Sequence, residues 1–110
     1  MADVTLREAQ EAVDEYIRTV GVRYFSELSN LAQLVEEVGE VARVMNRTYG
    51  DQSTRAGTEQ HALADELADV FTVVLAIANQ TGTDLTAAFL ANMEKKSTRD
   101  RHRHRSNPKL

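Results

Sequence analysis

The chain has no cysteine and no tryptophan, and only one proline and three histidines. Without cysteine there is no disulfide, no thiolate zinc site and no thiol nucleophile. Any metal must therefore be held by oxygen or imidazole, and two of the histidines, His102 and His104, fall near the C-terminus. Long hydrophobic runs are missing as well. No stretch approaches the roughly 20 apolar residues of a membrane span, and the opening MADVTLREAQ has no signal-peptide core. The expectation is a soluble, cytoplasmic protein with no membrane partner. Strand-like alternation is absent, and Pro108 lies outside every helical segment.

What is present is charge, unevenly placed. Of 110 residues, 42% are hydrophobic and 27% charged, which suits one small domain with a modest core. Residues 1–94 carry 16 acids and 6 basic residues, a balance of −10, whereas residues 95–110 carry 7 basic residues and 1 acid, a balance of +6. The reading is a helical domain over residues 1–96 and a basic tail over residues 97–110, with the stretch KKSTRDRHRHRSNPKL, residues 95–110, read as a solvated or disordered end. Nucleic acid is disfavoured as a partner. The acidic body repels a phosphate backbone, and no aromatic residues interleave with the basic ones to stack on bases.

Hydrophobic periodicity places four helices. The first opens at Thr5, with Glu8 completing a capping box, and runs to about Val20. The second spans about Ser26 to Thr48, with Leu34, Val38, Val41 and Met45 centring its apolar stripe. GDQSTRAG, residues 50–57, reads as a mobile loop. Thr58 is the expected N-cap of the third helix, which runs to about Gln80 and buries Leu63, Leu67, Val70, Phe71, Val74 and Ala78. TGTD, residues 81–84, breaks the chain and recaps it at Thr83. The fourth helix then runs to about Lys96, burying Leu85, Ala88, Phe89 and Met93. Short connections favour antiparallel neighbours, so the fold class is an all-α four-helix bundle with helices two and three as its central antiparallel pair.

The acids form a pattern within this frame. LVEEVGEV (34–41) matches LADELADV (63–70) position for position, 29 residues later. Each segment offers carboxylates at i and i+3 beside its apolar stripe: Glu37 and Glu40 in one, Glu66 and Asp69 in the other. If the two helices pack antiparallel, these four converge. Their repulsion must then be relieved by protonation or by a cation. All four are hard oxygen donors, and no E-x-x-H pair of the di-iron kind is present, His61 lying four residues before Asp65 without forming one. Mg²⁺ is therefore favoured, with Mn²⁺ as a substitute, over zinc or iron.

A bland alternative treats these acids as solvated helix faces, with Glu40 paired to Arg43. It has to account for two matched clusters, neither with a lysine at i+4. It also has to account for Gly39, which costs about 1 kcal/mol relative to alanine in mid-helix and points to something approaching closely there.

EEVGE, followed after 25 residues by ELAD, resembles the E-E-x-x-E…E-x-x-D signature of the MazG-like, all-α nucleoside triphosphate pyrophosphohydrolases. The resemblance extends to the first helix around Gln10, the YFSELSNLAQL lead-in and the basic end of the fourth helix. It implies a four-helix bundle assembled as homodimers or homotetramers. The implied reaction is Mg²⁺-dependent hydrolysis of (deoxy)nucleoside triphosphates to the monophosphate and pyrophosphate, in nucleotide-pool cleansing or regulation. By motif position it implies Glu37, Glu40, Glu66 and Asp69 as metal ligands and Glu36 as a supporting acid or base near the attacking water.

Carboxylates cannot hold a triphosphate, so basic groups are needed. Lys95, Lys96 and Arg99, with Asn92 beside them, are the expected substrate-binding residues. The alternative, from a different class, is a non-catalytic helical interaction module that uses its acidic face and basic tail for protein partners.

Overall fold

The computed structural model describes residues 3–53 and 62–110, and within them the chain is four α-helices with no strand. The first, α1 (Leu6–Thr19), opens with the expected capping box. The Thr5 hydroxyl accepts from the Glu8 amide at 3.1 Å, and the Glu8 carboxylate accepts from the Thr5 amide at 2.9 Å. The second, α2 (Glu27–Tyr49), is capped by Ser26, which accepts from the Ser29 amide at 3.2 Å.

The third helix, α3 (Leu63–Gln80), follows Ala62, which gives no side-chain cap. Asp65 and Glu66 occupy its first turn instead, where negative charge suits the amide-rich end of the helix. The expected cap Thr58 and His61 lie outside the described residues, as does the second half of the GDQSTRAG loop, residues 54–57. The fourth, α4 (Leu85–Asp100), is capped by Asp84 rather than Thr83. Asp84 Oδ1 accepts from the Thr86 and Ala87 amides at 3.0 and 3.3 Å, while the Thr83 hydroxyl pairs with that of Thr81. A carboxylate wins this position because it adds charge to the hydrogen bond. The helix continues four residues past Lys96, with Asp100 holding Arg99 and Arg103 at its end.

Contacts at both ends show that α2 and α3 run antiparallel. Asn30, near the start of α2, donates to Gln80 Oε1 at the end of α3 at 2.8 Å, whereas Glu37 in mid-α2 meets Glu66 and Asp69 in early α3. This pair is the most extensively packed in the molecule; α1 lies on α3, and the main contact of α4 is with α1. Gln10 pins that corner. Its amide donates to Asn79 Oδ1 at 3.1 Å and to the Thr83 carbonyl at 3.0 Å, and its Oε1 accepts from the Leu85 amide at 3.1 Å. Among the described residues no helix is long and apolar enough to cross a membrane.

Burial corrects two of the expected stripes. The face of α2 turned to α3 carries Asn30, Gln33, Leu34, Glu37, Val41 and Val44, whereas Val38 and Met45 lie on its exposed side. Of the α4 residues expected to be buried only Leu85 is half-buried, and Ala88, Phe89 and Met93 are exposed. In α3, Leu67 and Phe71 are also exposed, and among the described residues the buried apolar side chains are Leu75, Ala76 and Ala78. These stripes read correctly as apolar, but among the described residues nothing covers them.

Candidate metal centre

Three carboxylates meet where mid-α2 crosses the start of α3. One oxygen each from Glu37, Glu66 and Asp69 lies within 4.8 Å of the others. The helices explain why. Glu66 and Asp69 are three residues apart, hence on one face of α3, and Glu37 belongs to the inner face of α2. Burial is graded across the group: Glu66 is buried, Glu37 half-buried and Asp69 exposed. The centre is closed on its Glu66 side and open on its Asp69 side.

Glu37 is further constrained by Gln33, one turn earlier, whose side-chain amide donates to Glu37 Oε1 at 3.0 Å. Sequence reasoning missed this residue. The available signal was the i, i+4 spacing of an amide and a carboxylate on one helical face.

Three carboxylates in so small a volume, one of them out of water, repel one another strongly. A hard cation fits this donor set. Oxygens around a Mg²⁺ ion span at most about 4.2 Å, so a small side-chain rotation within the observed group would bring all three to one ion. Glu37, Glu66 and Asp69 are the residues that would hold it.

The other candidates are placed differently. Glu40 lies outside the three-residue group, half-buried, with Arg43 Nη2 at 3.9 Å from its Oε1. That separation is too long for a hydrogen bond and leaves Glu40 only loosely held. Glu36 is exposed, about 100° around the helix from Glu37. Among the described residues Gly39 has nothing within 4 Å of the position a Cβ would take, so no close neighbour there explains it.

Asn92, Lys95, Lys96 and Arg99 are all exposed on α4. Among the described residues, none of them makes an ion pair or hydrogen bond with the acids of α2 and α3. Arg99 is engaged by its neighbour, donating from Nε and Nη2 to the two Asp100 oxygens at 2.9 and 3.1 Å. A polar hollow of about 560 Å³ opens elsewhere, between α1 and the α3–α4 turn, lined by Arg7, Gln10, Asp14, Asn79 and Asp84 among others. Several of those groups are already paired, Arg7 with Asp84 and Gln10 with Asn79.

Comparison with known proteins bears on this centre. The family model of the MazG nucleotide pyrophosphohydrolase domain matches residues 25–104, a span that includes both acidic motifs and the basic end of α4. The protein YpjD of Bacillus subtilis is 37% identical over 103 residues, covering 94% of this chain and 93% of its own length. The crystal structure of YpjD aligns with a TM-score of 0.79 over 91% of this chain and 100% of its own. A Bacillus-conserved MazG protein, described as a nucleotide pyrophosphohydrolase, is 36% identical and aligns with a TM-score of 0.72 over 86% of this chain and 91% of its own.

Proposed function

The chain belongs to the MazG nucleotide pyrophosphohydrolase family and is an enzyme of that class, and from this premise we propose that it hydrolyses (deoxy)nucleoside triphosphates to the monophosphate and pyrophosphate with Mg²⁺. The observation that carries the reading is the meeting of Glu37, Glu66 and Asp69. Attack at the α-phosphorus must overcome the repulsion between a water oxygen and a polyanion. Mg²⁺ held by these carboxylates supplies charge to offset the triphosphate and lowers the pKa of a bound water. Mn²⁺ is the expected substitute, since it takes the same oxygen donors.

The chain's own residues then have distinct tasks. Glu37, Glu66 and Asp69 anchor the cation, and Glu40, one turn along α2, is the fourth ligand in this proposal once it leaves Arg43. Glu36 is the proposed base, its carboxylate accepting a proton from the attacking water. Asn92, Lys95, Lys96 and Arg99 are proposed to bind the triphosphate. Their position on α4, which lies on α1, is consistent with service to a neighbouring subunit's centre in a homodimer or homotetramer. A role in nucleotide-pool cleansing or regulation follows from such chemistry.

The test is a panel of common and modified (d)NTPs with Mg²⁺, in which pyrophosphate and orthophosphate are measured separately. Pyrophosphate release from at least one substrate is expected, and Asp69→Asn should abolish it with helicity unchanged. Absence of turnover across the panel, or release of orthophosphate alone, would overturn the reading.

A further inference from the structure

Among the described residues two polar side chains are buried, Asn30 at 6% and Glu66 at 5% exposure. Both belong to the contact between α2 and α3. Glu66 is part of the carboxylate group, whereas Asn30 sits in the first turn of α2 and donates from Nδ2 to Gln80 Oε1 at 2.8 Å. Gln80, the last residue of α3, donates in turn from Nε2 to the Phe25 carbonyl at 3.0 Å and to Glu27 Oε1 at 3.3 Å. The ends of this network fix its direction. A carbonyl and a carboxylate accept, so the Gln80 amino group faces them and its oxygen faces Asn30. One side chain of α3 thereby holds the start of α2 at three points.

Taking an amide out of water is costly even when it is hydrogen-bonded, and an aliphatic side chain of similar volume would fill the same space. What the amide adds is direction. The inner face of α2 continues as Leu34, Val41 and Val44, and apolar contacts are non-directional, so they hold two helices together without fixing how far one slides along the other. Buried polar pairs are best attested as devices that set such a register. Glu37 lies seven residues beyond Asn30, two turns along the same face of one continuous helix. The axial position set at Asn30 is therefore carried to Glu37. Placement there has to be accurate, because the oxygens of Glu37, Glu66 and Asp69 lie within 4.8 Å of one another. A slip of one turn, about 5.4 Å, would take Glu37 out of the group.

We propose that Asn30 is a positioning residue of the metal centre: through Gln80 it sets the register of α2 on α3 that brings Glu37 to Glu66 and Asp69. Two turns, about 10 Å along the helix, separate it from Glu37, so it acts through the helix and not by touching the metal. This role rests on the preceding reading of the three carboxylates as a cation site and adds what fixes their spacing. A pair that only supported the fold would be felt in stability. A pair that sets register is felt in metal affinity, with stability kept or raised when an aliphatic group takes its place.

Asn30→Leu tests this, since Gln80 is half-buried and keeps its bonds to Phe25 and Glu27. Mn²⁺ binding, followed by the EPR signal of the free ion, and the metal-free Tm are measured at fixed protein concentration for the parent, Asn30→Leu and the double variant Asn30→Leu/Gln80→Leu. Asn30→Leu is expected to match or exceed the parent's Tm while its Mn²⁺ Kd rises about tenfold, the scale on which groups that orient a ligand act. The double variant should bind no more weakly than the single one, because both break the same contact. A parent-like Kd in Asn30→Leu overturns the positioning role and leaves the metal centre standing. A Kd that rises only together with a fall in Tm makes the pair a structural support and overturns the proposal, as does a further tenfold loss in the double variant. If Asn30→Leu loses helicity, the double variant, which strands neither amide, is judged by Tm and Kd in the same way, and loss of helicity in both overturns the proposal. Absence of Mn²⁺ binding to the parent overturns the metal centre and the positioning role with it.

Discussion

The side-chain amide of Gln33 donates to Glu37 Oε1 at 3.0 Å across one turn of α2. The bond fixes which oxygen of Glu37 remains for a cation and removes a rotamer choice that metal binding would otherwise have to restrict. Groups that orient a ligand in this way typically account for 10–100-fold in metal affinity. Gln33→Leu keeps the helix and much of the volume but removes the donor. It should raise the Mg²⁺ concentration needed for half-maximal pyrophosphate release by about tenfold, with kcat at saturating metal nearly unchanged. An equal loss of kcat at saturating Mg²⁺ would assign Gln33 a role beyond orientation.

Metal should stabilise the fold, since it relieves repulsion among Glu37, Glu66 and Asp69 in the native state only. At 100 times its dissociation constant, a ligand specific for the native state adds about 2.7 kcal/mol. For a chain of this size that corresponds to a Tm rise of roughly 10 °C, measured at fixed protein concentration. Glu66→Gln should abolish most of the rise. A Tm indifferent to Mg²⁺ in the parent protein would remove the physical basis of the centre.

Glu36 separates base from ligand. It is exposed and turned from the three-carboxylate group by about 100°. Glu36→Gln should lower kcat by roughly 10²–10⁴-fold, as expected for loss of a general base, and leave the Mg²⁺-dependent rise in Tm intact. If that rise disappears with the activity, Glu36 holds metal instead.

Local physics decided which features were legible in the sequence. The Thr5–Glu8 capping box, the four helices and the matched acidic motifs depend on spacing within a few residues, which a single chain displays. The partner of each apolar stripe does not. In α2, Leu34 and Val41 face α3 whereas Val38 and Met45 face outward. Both sets fit helical periodicity, so one averaged stripe conceals two faces, one against α3 and one exposed. Asp84 displaced Thr83 as a cap because both are good cap residues one position apart, and only the turn geometry chooses between them. Glu37 reads from sequence as an edge residue and proves central to the inner face, which is why it meets Glu66 and Asp69 and why Glu40, one turn on, does not join them.

Gln10 tests whether the α1 corner carries α4. Its side chain joins Asn79, the Thr83 carbonyl and the first amide of α4, while Asn79 donates back to the Gln10 carbonyl at 2.8 Å. Gln10→Ala takes this side-chain partner from the part-buried Asn79 Oδ1 and Leu85 amide, at a cost of about 1–3 kcal/mol. The Tm should fall by roughly 5–10 °C, and amide exchange should accelerate first at Leu85 and the start of α4. Uniform acceleration through α2 and α3 instead would show that the corner is not an independent unit.

Asp100 gives the C-terminal turn a defined pH dependence. Paired first with Arg99 and then with Arg103, it is lowered from 3.8 to about 2. A carboxyl whose folded pKa lies below its unfolded value contributes stability that is present above the unfolded value and lost as pH falls through the folded one. The last turn of α4 should therefore hold above about pH 4 and loosen on acidification toward pH 2. A carboxyl titration followed by NMR should give Asp100 a midpoint near 2. Asp100→Asn should remove this acid phase and loosen the turn at neutral pH, since it also frees the Arg99 guanidinium. The freed guanidinium provides a second readout. If Arg99 binds the triphosphate in the native enzyme, breaking its bidentate pairing with Asp100 should lower KM for the nucleotide and leave kcat largely unchanged. An unchanged KM would place Arg99 outside the substrate site and confine Asp100 to holding the end of the helix.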